Sequence, residues 1–291
     1  MNKPLIFGHR GTPATLPENT MAGFTSAIAA GADGIELDVF LTRDGIPVVT
    51  HNPRLLPDTT KGPDGQWLDE VGPEIASLSL SELQGFDVGA CRPGGPHAEK
   101  HLNQQAQGFT PVPTLDDVLS MVAKAPRPVR VLVELKHTPD SEIAPEAFVA
   151  AAAEVVSRHD LMAQSAVHAF NWQILRAAAK LAPDWARSHL SCSRASYPDG
   201  SLYDGSPWLD GLSHDPDVML PQLAERGARN WSPFYKDLTP EALALAQSLE
   251  MTVMTWTVNG DATIQSELAR GVDGIVTDAP ATAVALRDKV D

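Results

Sequence analysis

Strand and helix patterns alternate along almost the whole chain, and this alternation limits the possible folds more than any other feature. Short β-branched or apolar runs at residues 5–8, 33–40, 46–51, 129–136, 166–170, 186–191, 228–232, 251–258 and 273–277 read as strands. Helical patterns at 20–30, 115–124, 145–159, 172–181, 219–226, 240–249 and 261–270 lie between most of them. In 145–159, Pro145 suits the first helical position, and Phe148, Ala151, Ala152, Val155 and Val156 share one face that can pack on a sheet. Such alternation predicts parallel βαβ units, and eight of them in one chain close into a TIM-like (β/α)8 barrel. The 291 residues, 43% of them hydrophobic, are enough for one such barrel and its core. With no internal repeat and no charge-run linker, residues 1–291 are expected to form a single domain.

Two segments interrupt the pattern. Residues 52–113 are rich in Pro, Gly and Asp and are expected to be an insertion on the C-terminal rim of the barrel. Residues 193–217 are turn-rich and carry Tyr197, Tyr203 and Trp208, as either a lid or a surface decoration. Strands 33–40 and 46–51 are too close for a parallel crossover, so they should form an antiparallel hairpin. A turn centred on Asp44-Gly45 would set Asp38 opposite His51.

Charged residues fall where apolar ones are expected. The first strand runs into His9-Arg10, the second holds Glu36 and Asp38, the hairpin return ends on His51, and the fourth holds Glu134 and Lys136. Residues two apart on a strand share a face, so Glu36 points with Asp38 and Glu134 with Lys136. Charges on barrel strands are costly unless paired or bound to a metal, and the C-terminal face is the working end of a barrel. Three converging carboxylates suit Mg²⁺ or Ca²⁺ rather than a His/Cys zinc site. Two adjacent histidines can serve as general acid and base, and Arg10 and Lys136 can hold a phosphate. His168 shares the face of Phe170, while the other six histidines carry no assigned chemistry.

The formal net charge of −15 argues against nucleic acid or an anionic membrane as partner. No run of 18 apolar residues suggests a membrane span, and the apolar run at the N-terminus is too short for a signal peptide. A cytoplasmic protein without stable membrane insertion is expected. Cys91 and Cys192 read as free thiols.

The ordered motifs His9-Arg10-Gly11, Pro17-Glu18-Asn19-Thr20, Gly34-Ile35-Glu36-Leu37-Asp38-Val39, Leu41-Thr42-Arg43-Asp44-Gly45 and Val48-Val49-Thr50-His51 resemble the glycerophosphodiester phosphodiesterases. Pro113-Thr114-Leu115, Val133-Glu134-Leu135-Lys136, Thr255-Trp256-Thr257-Val258-Asn259 and the run 271–278 continue the resemblance, which is weakest from about 166 to 230. It implies a TIM-like barrel with one divalent cation, Mg²⁺ or Ca²⁺, on Glu36, Asp38 and Glu134. It further implies His9 and His51 as the acid–base pair, Arg10 and Lys136 at the phosphate, and Trp256 with Phe170 against the glycerol part. Glu18 and Asn19 are expected to position their loop and cap the next helix. Family members commonly carry Asp after the second His. Here Asn52 stands there and is read as capping the same turn.

The implied reaction is hydrolysis of a glycerophosphodiester, a small molecule, to sn-glycerol 3-phosphate and an alcohol. One His takes the proton of the attacking 2-hydroxyl, the other protonates the leaving alcohol, and water then opens a cyclic phosphate. Two other readings are a lysophospholipase-D or phospholipase-C-like barrel acting on lysophospholipids, and a catalytically silent phosphate-binding barrel.

Overall fold

A computed structural model describes residues 3–289 of the chain. Its strands are β1 (Leu5–His9), β2 (Gly34–Leu41), β3 (Pro47–Val49), β4 (Arg130–Leu135), β5 (Ser165–Ala169), β6 (Ala186–Ser191), β7 (Asn230–Pro233), β8 (Thr252–Thr255) and β9 (Gly274–Thr277). The helices are α1 (Met21–Ala29), α2 (Leu80–Leu83), α3 (Pro96–Lys100), α4 (Leu115–Ala123), α5 (Pro145–Arg158), α6 (Trp172–Leu181), α7 (Pro216–Glu225), α8 (Pro240–Ser248), α9 (Asp261–Arg270) and α10 (Pro280–Arg287). Strands β1, β2 and β4 to β9 pair side by side in parallel, and β1 pairs with both β2 and β9. The eight-stranded sheet is therefore closed, as expected of a TIM barrel.

Strand periodicity sorts the side chains into two apolar groups. Ile6, Ile35, Leu37, Val133, Val167, Trp231, Val253 and Ile275 face outward and pack with the helices. Phe7, Leu132, Ala166, Met254 and Val276 face inward and plug the barrel. Two residues beyond each inward residue comes the next that faces the interior. That step takes Phe7 to His9, Leu132 to Glu134, Ala166 to His168, Met254 to Trp256 and Val276 to Asp278. The apolar plug is thus the floor of a polar mouth at the C-terminal end.

Local signals account for most helix starts. The side chains of Thr20, Thr114, Asn171, Asp215 and Thr239 each accept from a backbone N–H of the helix that follows. Pro145, Pro216, Pro240 and Pro280 take first-turn positions, where proline loses no helical hydrogen bond. Pro216 is also why α7 begins three residues before the predicted 219. Helix α10 was not among the expected elements.

The hairpin forms, but its register differs by one residue from the expected one. Val39 pairs with Val49 and Leu41 with Pro47, and the Thr50 N–H donates to the Asp38 carbonyl at 3.0 Å. Asp38 therefore lies opposite Thr50, not His51. The reason is the turn. Thr42 and Ile46 close a three-residue loop in which Gly45 takes a left-handed φ of 76°.

The segment after β3 is less irregular than its composition suggests. It holds α2, α3 and a small core of Leu55, Ile75, Leu83 and Val112 under Val48. Ser79 and Glu82 form a capping box at α2. The segment is tied to the loop after β1: Gln104 Nε2 donates to the Pro13 and Leu16 carbonyls, and the Gln105 N–H donates to Thr15. No helix of the described residues is long and apolar enough to cross a membrane.

Candidate active site

The chain turns sharply as it leaves β1. Arg10 has φ 51° and Gly11 φ 94°, and a Cβ on Gly11 would lie 2.7 Å from the Gly23 backbone, so only glycine fits there. A non-glycine residue with positive φ is strained unless its surroundings fix it. The Arg10 N–H donates to Glu36 at 3.1 Å, and its side chain meets Asp38 at 3.1 Å and Glu18 at 3.2 Å. These partners hold the kink and aim the guanidinium across the mouth.

Glu36, Asp38 and Glu134 converge as predicted. Each offers an oxygen within 4.8 Å of the others, and all three residues are buried. Lys136 Nζ stands 2.7 Å from Glu134 and 3.0 Å from Asp38. Burial, then Asp38 and Glu134, push the Glu36 carboxyl well above the usual carboxylate range. Burial also pushes Asp38 up, but Lys136, Arg10, His51 and the Asn19 amide outweigh it and hold Asp38 well below that range. Asp38 Oδ1 is buried and accepts no hydrogen bond, although Lys136 faces it as an ion-pair partner. Three buried, converging carboxylates fit a divalent cation, whose charge would relieve their mutual repulsion.

The histidines have different supports. His9 Nδ1 lies 2.5 Å from Asp278 Oδ1, just past β9. The Asn259 amide holds Asp278, donating to its Oδ2 at 2.7 Å and accepting its N–H at 3.0 Å. Burial opposes ionisation of Asp278, but His9 foremost, then Lys100 and Asn259, hold it far below the usual carboxylate range. His51 Nδ1 lies 3.2 Å from the Asn52 side-chain oxygen, a neutral acceptor. Asn52 therefore touches the ring rather than serving only a turn. Burial, then Arg10 and Lys136, push His51 down to about 3, against Asp38 and Glu18.

Phe170 and Trp256 meet edge-on at 5.3 Å at the mouth, and the Trp256 indole N–H donates to Ser232 at 2.9 Å. Asn19 does not cap α1, because Thr20 does. Asn19 instead takes φ 54° and donates its amide to Asp38 at 2.9 Å. Glu18 pairs with Arg10 and lies 3.7 Å from His97 of α3. A cavity lined by Glu18, His51, Asn52, Cys91 and His97 runs between the mouth and the segment after β3. Cys91 and Cys192 are free, as expected. Asp278, Asn259 and Asn19 had been given no part in the site. Asn259 and Asp278 lie inside motifs that carry the resemblance to the family, but no local spacing links either of them to His9.

The glycerophosphoryl diester phosphodiesterase family model matches residues 9–282. A glycerophosphodiester phosphodiesterase of Caldanaerobacter subterraneus subsp. tengcongensis is 28% identical over 98% of both chains. The crystal structure of a candidate glycerophosphoryl diester phosphodiesterase from Silicibacter pomeroyi DSS-3 is 31% identical, covering 99% of this chain and 94% of that one, with TM-score 0.88. An Oleispira antarctica phosphodiesterase, solved with sn-glycerol 3-phosphate, shares the fold at 22% identity and TM-score 0.72, over 99% and 98% of the chains. With a barrel closed around this polar mouth and a family match over nearly its whole length, the chain belongs to the glycerophosphoryl diester phosphodiesterase family, a family of enzymes.

Proposed function

We propose that the protein hydrolyses glycerophosphodiesters to sn-glycerol 3-phosphate and an alcohol through a cyclic phosphate, by acid–base catalysis from His51 and His9. The observation that carries this reading is one mouth holding three buried carboxylates, two cations and two differently supported histidines. The product bound to the Oleispira relative agrees with it.

Glu36, Asp38 and Glu134 would hold one Mg²⁺ or Ca²⁺. Such a cation, when bound, polarises the phosphate and lowers the pKa of the glycerol hydroxyl. Arg10 and Lys136 bind the phosphate oxygens and balance the charge that grows on them in the transition state. His51 is neutral and hydrogen-bonded through Nδ1, so Nε2 is the basic atom that takes the 2-hydroxyl proton. His9 is backed by a carboxylate, which orients the ring and suits it to donate a proton to the leaving alcohol. Water then opens the cyclic phosphate with the two roles reversed. Phe170 and Trp256 pack against the glycerol carbons and exclude water.

Phosphorus NMR during turnover tests the route. A transient cyclic glycerophosphate signal that gives way to sn-glycerol 3-phosphate is expected. Turnover at the normal rate of a substrate whose glycerol lacks the 2-hydroxyl, with no cyclic species, would rule out attack by the 2-hydroxyl.

A further inference from the structure

Given the phosphodiesterase reading above, we propose that Tyr197 extends the active-site wall, and that its stacked pair with Trp256 selects diesters whose leaving alcohol carries a quaternary ammonium group. Tyr197 lies in the 193–217 loop, outside the motifs that carry the resemblance to the family.

The loop is built to present this ring. Asp237 accepts from the Ser193 N–H at 2.7 Å, the Ser193 hydroxyl at 2.7 Å and the Ser196 hydroxyl at 2.6 Å. The Tyr197 N–H closes a turn onto the Ser193 carbonyl at 3.0 Å. Gly200 packs so tightly on Ser193 that a Cβ there would lie 2.4 Å from that backbone. The Tyr197 ring stacks on Trp256 at 5.9 Å and 27°, and meets Phe234 edge-on at 4.9 Å. Phe170 closes the other edge of Trp256. Tyr197 is 42% exposed, so part of the ring is open at the mouth.

The protein's own cations cover other rings. Cation–π contacts among the described residues join Lys61 to Trp67, Arg194 to Tyr203 and Lys236 to Tyr235. Arg194 thus occupies the face of the loop's other tyrosine at 3.4 Å, while none of these contacts uses Tyr197, Trp256 or Phe170. The rings of Tyr197, Trp256 and Phe170 thus have no cation–π partner among the described residues, in a chain of net charge −15. A quaternary ammonium group donates no hydrogen bond and is recognised by π faces. A polyhydroxylated alcohol on the same wall would give up hydrogen bonds to water without replacement.

The test compares kcat/KM for glycerophosphocholine, its uncharged isostere with a tert-butyl in place of trimethylammonium, and glycerophosphoglycerol. The enzymes are the wild type, Tyr197→Phe and Tyr197→Ala. The wild type should favour choline over the isostere about fivefold. Tyr197→Ala should lower the choline-to-glycerol ratio roughly tenfold through KM, and Tyr197→Phe should keep it within about twofold. An isostere equal to or better than choline in the wild type, a ratio unchanged in Tyr197→Ala, or an equal loss in Tyr197→Phe would each overturn the selection. The isostere comparison needs no variant and so is independent of folding defects. A wild type that, with Mg²⁺ or Ca²⁺, turns over none of the three would instead overturn the phosphodiesterase reading beneath it.

Discussion

Asp278 Oδ1 lies 2.5 Å from His9 Nδ1, a contact between residues 269 apart in sequence. Barrel closure makes it: β1 pairs with β9 from Leu5–Gly274 to Gly8–Thr277, and the next inward positions meet at the mouth. Asn259 braces the carboxylate from the loop after β8. His9 thus has an anionic partner and His51 a neutral one, an asymmetry that supports the division of roles proposed for them.

If Asp278 orients His9, Asp278→Asn should lower kcat about 100-fold or more, with KM changed less than about threefold. It should also alter the limb of the pH–rate profile that reports the acid. Steady-state kinetics across pH checks both. A purely structural role would instead lower the melting temperature and leave the profile in place.

His9→Ala and His51→Ala should each reduce kcat by roughly 10²–10⁴-fold while keeping the native circular dichroism spectrum. Near-normal turnover in either folded variant would remove that histidine from the acid–base pair.

Glu36→Gln should weaken binding of Mg²⁺ or Ca²⁺ at least about tenfold, because it would remove one of the three carboxylates proposed to hold the cation. Calorimetric titration of the folded protein reads this without turnover. The rise in melting temperature with added cation should shrink in parallel.

What could be read from the sequence was what local order carries. Alternating patterns give the strands, and the two-residue period puts Glu36 with Asp38 and Glu134 with Lys136. The contacts that were not legible depend on tertiary closure or backbone detail. Asp278 reaches His9 only because the last strand returns to the first. Asn19 turns to Asp38 because Thr20 already caps α1. The hairpin register rests on whether the loop has two residues or three, which Asp44-Gly45 alone does not decide. His97 reaches Glu18 only through the folding of the segment after β3.

Stability should fall in mild acid through His189. Burial, with Arg187 and Arg226 nearby, pushes this imidazole down to about 4, although its hydrogen bond to the Asn230 carbonyl opposes the shift. Below the ordinary value of 6.5 the unfolded chain takes up a proton here that the folded protein refuses. The contribution is therefore complete above that value and is lost as pH falls from about 6.5 to about 4, on the order of 3 kcal/mol in all. Urea unfolding at pH 7.5 and 5 should show His189→Gln losing about 2 kcal/mol less than the wild type between the two. Equal losses would contradict the assignment.

The most direct measurement is release of sn-glycerol 3-phosphate from glycerophosphodiesters, first in EDTA and then with Mg²⁺ or Ca²⁺ restored. The account predicts negligible release in EDTA and full recovery with the cation. Release unaffected by EDTA, or none from folded protein with either cation, would contradict it.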